Sequence, residues 1–438
     1  MPKVAFHTLG CKVNQIETEH IKEEFMDRGY MIVDFAAEAD VYIINTCTVT
    51  HVSDRKSRSI IRRAARNNPN AIIAAIGCTA QVNAQELAKI EGVNLVVGNK
   101  DKQKIVDIIE GHISDKQNQI YAEPISKNDK LRPILFSRPH DRTRAFVKIQ
   151  DGCQSFCSYC IVPMARGPVR SKAPEDVLTE IKQLLLLGYK EIVLTGIHTG
   201  FYGTDLDNID LVGLLEIIFQ EITASNFRLR LSSIEPLEVS DKLIRLVKNE
   251  KRMCRHFHIP LQSGSDKVLK DMNRRYSARY YEELLLKIAG EIPGTAIASD
   301  VMAGFPTETE ENFTETINLI SGLPLTHLHI FKYSKRPGTK AASILPVANE
   351  SEKNLRSEKL LVLAAKKHHL FALSNLGLEL DLLVEQKIGN DRYKGLTDNY
   401  IEVEFSSKNN IVGQFARVLL EEIEAETKMI KGVLINDE

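Results

Sequence analysis

Cys153, Cys157 and Cys160 stand in one short run, spaced Cys-x3-Cys-x2-Cys. Three thiolates this close can ligate three irons of a four-iron cubane, and soft sulfur donors suit such clusters. The fourth iron then stays open to chelate the amino and carboxylate groups of S-adenosylmethionine. A zinc ion, or no metal at all, is the alternative. Zinc knuckles, however, usually use paired Cys-x2-Cys and need a fourth ligand.

A second set is dispersed. Cys11, Cys47 and Cys78 each follow a strand-like apolar run, at 3–8, 41–45 and 71–77. In a parallel sheet the C-terminal ends of all strands share one edge, and ligands bind there. Three cysteines at equivalent strand ends predict a second three-cysteine iron cluster. The alternative is that each is a small buried hydrophobe. Cys254 stands alone and is read as core.

Polar groups recur at the ends of later strand-like runs: Thr195-Gly196, Ser232-Ser233-Ile234-Glu235-Pro236, Gln262-Ser263-Gly264-Ser265, and Asp300 through Gly304-Phe305-Pro306. Four such patches predict a ligand site, with Gly196 letting backbone approach the ligand closely. One further run, 54–67, carries Arg55, Lys56, Arg58, Arg62, Arg63 and Arg66 against a single acid. Arg55, Arg58, Arg62 and Arg66 repeat at helical spacing and share a face. This helix starts soon after Cys47 and is expected to grip RNA phosphates; a solvated charged face is the bland alternative.

The elements that must position these residues fall into three segments. Residues 1–112 alternate strand and helix patterns and imply a parallel sheet with covering helices, with strands at 3–8, 41–45, 71–77 and 95–98 and a weaker one at 30–35. Residues 113–138 are polar, carry Pro124 and Pro133, and read as a linker. Residues 139–372 alternate six more times, with strands at 145–150, 191–195, 228–233, 256–261, 295–301 and 327–333. Six units suggest a partial barrel rather than a closed eight-stranded one, and the Cys153 run sits at its C-terminal mouth, where such barrels work. Residues 375–438 look like a small all-β barrel. The expected class is therefore α/β with an all-β C-terminal appendage.

The chain has 438 residues, 43% hydrophobic and 26% charged, with a formal net charge of -1. That charge argues against a generally basic nucleic-acid binder and leaves any RNA contact to local patches. The C-terminal segment 376–438 holds 13 acids and 7 lysines or arginines, a poor composition for neutralising phosphates. No apolar run approaches the roughly 18 residues that span a bilayer, and the N-terminus has no secretory h-region. The expectation is a cytoplasmic monomer with reduced thiols and no membrane partner.

Gly10-Cys11-Lys12-Val13-Asn14-Gln15-Ile16-Glu17, Asn45-Thr46-Cys47-Thr48-Val49-Thr50, the Cys153–Cys160 run, Ile161-Val162-Pro163, Arg166-Gly167, the Ser232 and Gln262 runs and Gly304-Phe305-Pro306-Thr307-Glu308-Thr309 together resemble the methylthiotransferases. The resemblance covers nearly the whole chain, including a C-terminal barrel similar to the TRAM domain. Leu9 to Gln15, Thr48-Val49-Thr50 with Asp54 to Arg58, and Thr195-Gly196-Ile197-His198 resemble the branch acting on threonylcarbamoyladenosine in tRNA.

That resemblance implies two [4Fe-4S] clusters, one on Cys11, Cys47 and Cys78 and one on Cys153, Cys157 and Cys160. It implies two molecules of S-adenosylmethionine, one methylating a cluster sulfur and one cleaved to a 5′-deoxyadenosyl radical. The radical removes hydrogen from carbon 2 of the modified adenine at position 37, and the methylthio group bonds there. Tyr159 is expected against the cofactor's adenine, and Gly196, Ser232, Glu235, Gln262 and Asp300 around the cofactor. Partners implied are the tRNA anticodon stem-loop, an electron donor such as flavodoxin or ferredoxin, and a sulfur source. Thr199, Phe201 and Met164 depart from the commoner residues of the family. Competing expectations are action on isopentenyladenosine, action on a ribosomal-protein aspartate, and an electron-transfer or metal-storage protein with no substrate.

Overall fold

In the computed structural model, residues 1–115, 117–139, 142–424 and 429–435 are described. Residue 116 of the expected linker, 140–141 at the head of the expected barrel segment, and 425–428 and 436–438 of the expected C-terminal barrel lie outside them.

Strands β1 (Lys3–Thr8), β2 (Met31–Val33), β3 (Val41–Thr46), β4 (Ile72–Gly77), β5 (Leu95–Val97) and β6 (Gln119–Tyr121) form one sheet. Its spatial order is β2-β1-β3-β4-β5-β6, and every pairing is parallel. Central β3 is buried at all six positions, as a strand covered on both faces must be. Its alternate residues feed separate cores, Tyr42 and Ile44 into one, Val41 and Ile43 into the other. Chain order reverses between β1 and β3, which makes their C-terminal edge the crevice of the sheet. Helix α1 (Lys12–Asp27) leaves β1 and α2 (His51–Asn67) leaves β3. Thr50 caps α2 by accepting from the Ser53 N–H (3.1 Å), satisfying one of its free amides.

Five strands were expected here and six are present. The sixth, β6, lies in the stretch read as a linker, where three residues give no alternation to read. Beyond it the Ile134 N–H donates to Glu180 (2.6 Å) and the Phe136 N–H to Gln183 (3.2 Å), so this polar run is laid against the next unit.

That unit contains β7 (Arg144–Asp151), a short antiparallel edge strand β8 (Arg170–Ser171), β9 (Glu191–Gly196), β10 (Arg228–Leu231), β11 (His256–His258), β12 (Ala296–Ala303) and β13 (His327–Lys332). The parallel run β7-β9-β10 and the parallel run β11-β12-β13 meet at the bridge of Leu229 to Met253 and where the Ile234 N–H donates to the His258 carbonyl (2.9 Å). Six parallel strands thus form the expected partial barrel, with Cys254 buried in its wall.

A closed barrel ends the fold: β14 (Glu379–Gly389), β15 (Arg392–Thr397), β16 (Glu402–Ser406), β17 (Phe415–Ile423) and β18 (Ile430–Leu434), ordered β14-β15-β16-β18-β17. It sits on the N-terminal floor of the α/β barrel. Arg144 pairs with Glu385 (2.6 Å) and Arg255 with Asp398 (2.7 Å). Arg228 and Arg230 donate to the carbonyls of Leu396 and Asp398 (2.7 and 2.8 Å). Tyr400, at φ +68°, stacks on His256 with ring centroids 4.5 Å apart. Two of the small barrel's acids are therefore committed to a basic floor.

Candidate catalytic centre

Cys11, Cys47 and Cys78 follow β1, β3 and β4, three neighbours in the sheet, at the crevice edge. Two buried polar side chains tie their turns together. Asn14 Nδ2 donates to the Leu9 carbonyl (2.8 Å) and to the Thr46 carbonyl (3.1 Å), joining the first turn to the second. Thr46 Oγ1 donates to the Ile76 carbonyl (2.7 Å) and accepts from the Thr79 N–H (3.1 Å), joining the second to the third. Gly10 has φ +101°, and a Cβ there would stand 2.9 Å from Cys47 Cβ. Gly77 has φ +93°, and its Cβ would stand 2.3 Å from Asn45 Oδ1. Only glycine fits either position. Burial pushes Cys47 up to about 11, and the charges of Cys78 and Cys11 add to the rise. Cys11 opens to the surface yet sits in a recess with protein on most sides, so desolvation raises its thiol while Arg166 opposes the rise.

The other triplet needs only a loop. Gly152 (φ +78°) lets the chain pass so close to Pro168 that a Cβ would lie 1.8 Å from its carbonyl oxygen. The Cys153 N–H donates to the Gly167 carbonyl (3.1 Å), and the Cys160 N–H to the Cys157 carbonyl (3.0 Å). The three thiols line a cavity of about 120 Å³ with Tyr159, Ile197, His198, Ser233, Glu235 and Arg274. Burial raises Cys157, and pushes Cys160 up to about 12. Cys153 differs: burial would raise it, but His198 Nδ1 lies 3.4 Å from its sulfur and lowers it. His198 Nε2 is held 2.5 Å from Glu238 Oε1. Burial disfavours charge on that ring, but the hydrogen bonds from Cys153 and Glu238 win and lift it to about 9.

Within each set the thiols lie close enough to raise one another's pKa, and a cubane holds three thiolates on separate irons. Donor chemistry fits too, since each set offers three thiols and leaves one iron position open.

Tyr159 and Glu235 lie in the cavity wall, linked by Arg274, which donates to the Tyr159 hydroxyl (2.7 Å) and pairs with Glu235. The Tyr159 ring packs edge-on to Phe305 at 6.4 Å. Gly196 and Ser232 stand one residue behind the lining residues Ile197 and Ser233. Gly196 makes room for the Gln150 side chain, whose Oε1 would lie 2.9 Å from a Cβ. Ser232 Oγ meets Thr199 Oγ1 (3.1 Å). Gln262 and Asp300 belong to the other half of the barrel. The Gln262 N–H, at φ +65°, donates to the Asp300 carbonyl (2.8 Å). The Asp300 carboxylate takes His258 Nε2 (2.9 Å) and His329 Nδ1 (3.1 Å), rather than facing the thiol cavity. Phe201 stacks on the His198 ring with centroids 3.7 Å apart, the ring whose Nδ1 meets the Cys153 thiol.

A buried ion network joins the two triplets. Glu17 of α1 accepts from Lys148 (2.8 Å) and Arg166 (3.0 Å) and pairs with Lys102. Asp151, two residues before Cys153, takes Lys148 and Arg166 at 3.2 Å each, and Arg170 at 3.6 Å. Asn99 donates to Cys78 Sγ (3.5 Å) and accepts from Lys102 (2.7 Å). Burial would raise both carboxyls, but the cations hold Glu17 and Asp151 far below the usual carboxylate range. Four cations face two carboxylates, leaving positive charge beside thiols that would be anionic when ligating metal. Spacing along the sequence gave no sign of this network, nor of Arg274, Glu238 or the Asn14–Thr46 ties. Their partners lie far away in the chain.

On α2, Arg58, Arg62 and Arg66 line a groove of about 940 Å³ together with Lys89, Glu86 and Glu91. Arg63 lies over the Phe35 ring (5.0 Å), and Arg55 is exposed.

Residues 3–98 match the model of uncharacterized protein family UPF0004, and residues 147–320 that of the radical SAM superfamily. The threonylcarbamoyladenosine tRNA methylthiotransferase MtaB of Bacillus subtilis is 42% identical over 422 residues, covering 95% of this chain and 93% of its own. The enzyme of the same name from Aquifex aeolicus is 41% identical, covering 95% and 100%. Among solved structures, the radical S-adenosylmethionine methyltransferase TsrM of Kitasatospora setae aligns with TM-score 0.59 at 16% identity, over 78% of this chain and 75% of that one; at that identity the likeness concerns the fold.

Proposed function

This chain belongs to the threonylcarbamoyladenosine tRNA methylthiotransferases, radical S-adenosylmethionine enzymes, and we propose that it works with two [4Fe-4S] clusters and two molecules of S-adenosylmethionine at carbon 2 of the modified adenine 37. Cys153, Cys157 and Cys160 are the ligands of one cluster, Cys11, Cys47 and Cys78 of the other. When bound, these groups supply reductive cleavage of S-adenosylmethionine, hydrogen abstraction from carbon 2 and the sulfur that bonds there, which no side-chain acid or base can supply.

The protein's own part is holding and shielding. His198, fixed by Glu238, lowers the Cys153 thiol and so favours the thiolate a metal takes. Arg274 locks the Tyr159 ring and the Glu235 carboxylate in one wall, a surface for an adenine and an ammonium group. Ser232, Gly196, Gln262 and Asp300 support that wall and the opposite half of the barrel. The cation-rich network around Glu17 offsets the negative charge of ligating thiolates at the sheet edge. Exposed Arg55, Arg62, Arg63 and Arg66, with Arg58, grip phosphates of the anticodon arm by guanidinium forks. Residues 1–112, 139–372 and 375–438 divide the work into sulfur site, radical site and appended barrel.

The observation that carries this reading is the presence of two three-thiol sets on either side of one shared buried charge network. Anaerobic reconstitution followed by metal analysis tests it. About eight irons per chain, 5′-deoxyadenosine on reduction, and the methylthio form of threonylcarbamoyladenosine in tRNA from complemented deletion cells are expected. One zinc and no cleavage would end the cluster assignment, and a change confined to the isopentenyl nucleoside would end the substrate assignment.

A further inference from the structure

The loop after β13 runs from one thiol triplet to the other. Near its start Ser334 Oγ accepts from the His51 N–H (2.8 Å), at the head of the helix that follows Cys47. Near its end the Ala341 N–H donates to the Ser158 carbonyl (2.8 Å), between Cys157 and Tyr159. Midway, a Cβ on Gly338 would lie 3.3 Å from Met164 Cε.

Arg336 sits at the centre of this strap and is 3% exposed. Its carbonyl accepts from Thr339 Oγ1 (2.7 Å), which fixes the turn. Its Nη2 donates to Thr48 Oγ1 (2.5 Å), beside Cys47. Its Nε is buried without a partner. The same is true of Nε in Arg166, Arg274 and Arg356, but each of these pairs with a carboxylate: Glu17, Glu235 and Glu308. Among the described residues no carboxylate pairs with Arg336. A guanidinium taken out of water without a counter-ion is unfavourable, and this one has no carboxylate partner to offset its burial. Arg336 does not line the Cys153 cavity.

Resting on the proposed function, in which both triplets serve one reaction on the adenine, we propose that Arg336 binds an oxyanion of the substrate nucleotide. That oxyanion is either the carboxylate of the threonylcarbamoyl group or a phosphate flanking the base. Both match the two-pronged donor face of a guanidinium.

The test uses the full-length, cluster-loaded enzyme and R336Q, with anticodon-arm RNAs carrying either threonylcarbamoyladenosine or plain adenosine at position 37. Dissociation constants are measured by fluorescence anisotropy. R336Q is expected to bind the modified RNA about tenfold or more weakly, with iron content and RNA-independent cofactor cleavage unchanged. Weakening confined to the modified RNA identifies the carboxylate, and equal weakening of both RNAs identifies a phosphate. Unchanged binding of both overturns the proposal, as does loss of iron from R336Q, which would make Arg336 a support for the Cys47 turn. R336K keeps the charge but not the fork, so it should weaken binding by a smaller factor. It serves alone if R336Q does not fold, and wild-type affinity in R336K would then overturn the proposal. Failure of the wild-type enzyme to methylthiolate the modified RNA would count against the proposed function and leaves the binding comparison readable.

Discussion

The two thiol triplets are held by opposite means. Cys153, Cys157 and Cys160 need one glycine, Gly152, and a turn closed by the Cys160 N–H on the Cys157 carbonyl. Cys11, Cys47 and Cys78 need three strands in register, two glycines at positive φ, and the cross-ties of Asn14 and Thr46. A site written in one loop survives damage elsewhere. A site written by topology inherits every weakness of the sheet that assembles it. Their electrostatics differ as well, since a histidine lowers one thiol of the local set, whereas the dispersed set lies beside a cation-rich buried network.

Gly77→Ala should break this comparison most. Gly77 holds φ +93°, and a methyl there would lie 2.3 Å from Asn45 Oδ1 and 2.9 Å from the Thr46 carbonyl oxygen. Those atoms are backbone and a buried amide, so relief must come from the turn that carries Cys78. Iron per chain is expected to fall by about half, while reduction still yields 5′-deoxyadenosine from the Cys153 site. Loss of both signals would show that the two triplets do not stand independently.

Glu17→Gln is the next largest change. It removes the carboxylate shared by Lys102, Lys148 and Arg166. Breaking one partner of a buried ion network costs about 3–5 kcal/mol, which a urea titration of the apoprotein would read. Beyond that general loss, the dispersed set should retain less iron than the local one, because Lys102 also holds Asn99 against Cys78. Equal loss at both sites would place the network's role in the fold alone.

The same contrast explains what could be read from the chain. The Cys153 run was legible as a motif, and the dispersed cysteines were legible because 3–8, 41–45 and 71–77 read as parallel strands whose ends share an edge. Period and apolar content located all six barrel strands. Strand β6 escaped because three residues between polar neighbours carry no period. The Asn14, Thr46 and Glu17 contacts escaped because each joins elements far apart in sequence, and nothing local marks a buried carboxylate from a surface one. The acidity of residues 376–438 was legible as a number but not as a role. Glu385 and Asp398 meet Arg144 and Arg255 on the barrel floor, and only docking shows it.

That floor supplies the smallest and cleanest perturbation. Glu191 is fully buried beneath the C-terminal barrel, bonded to Arg228 (2.6 Å) and Arg230 (2.7 Å). Burial alone would raise its carboxyl, but the two arginines pull it down to about 2 from an ordinary 4.5. A folded-state value below the unfolded one contributes stability that is fully present above pH 4.5 and is lost as pH falls toward 2. The shift corresponds to about 3 kcal/mol. Glu191→Gln should therefore unfold at lower urea at neutral pH by about that amount, and its stability should change less than the wild type's between pH 4.5 and 2. Iron content of the Cys153 triplet should stay at the wild-type level, since the floor lies at the opposite end of the barrel from that mouth. If the acid limb of the variant matches the wild type's, Glu191 is not the group that titrates. If iron is lost from the Cys153 set, the barrel transmits strain from its floor to its mouth, and the local triplet depends on the whole unit after all.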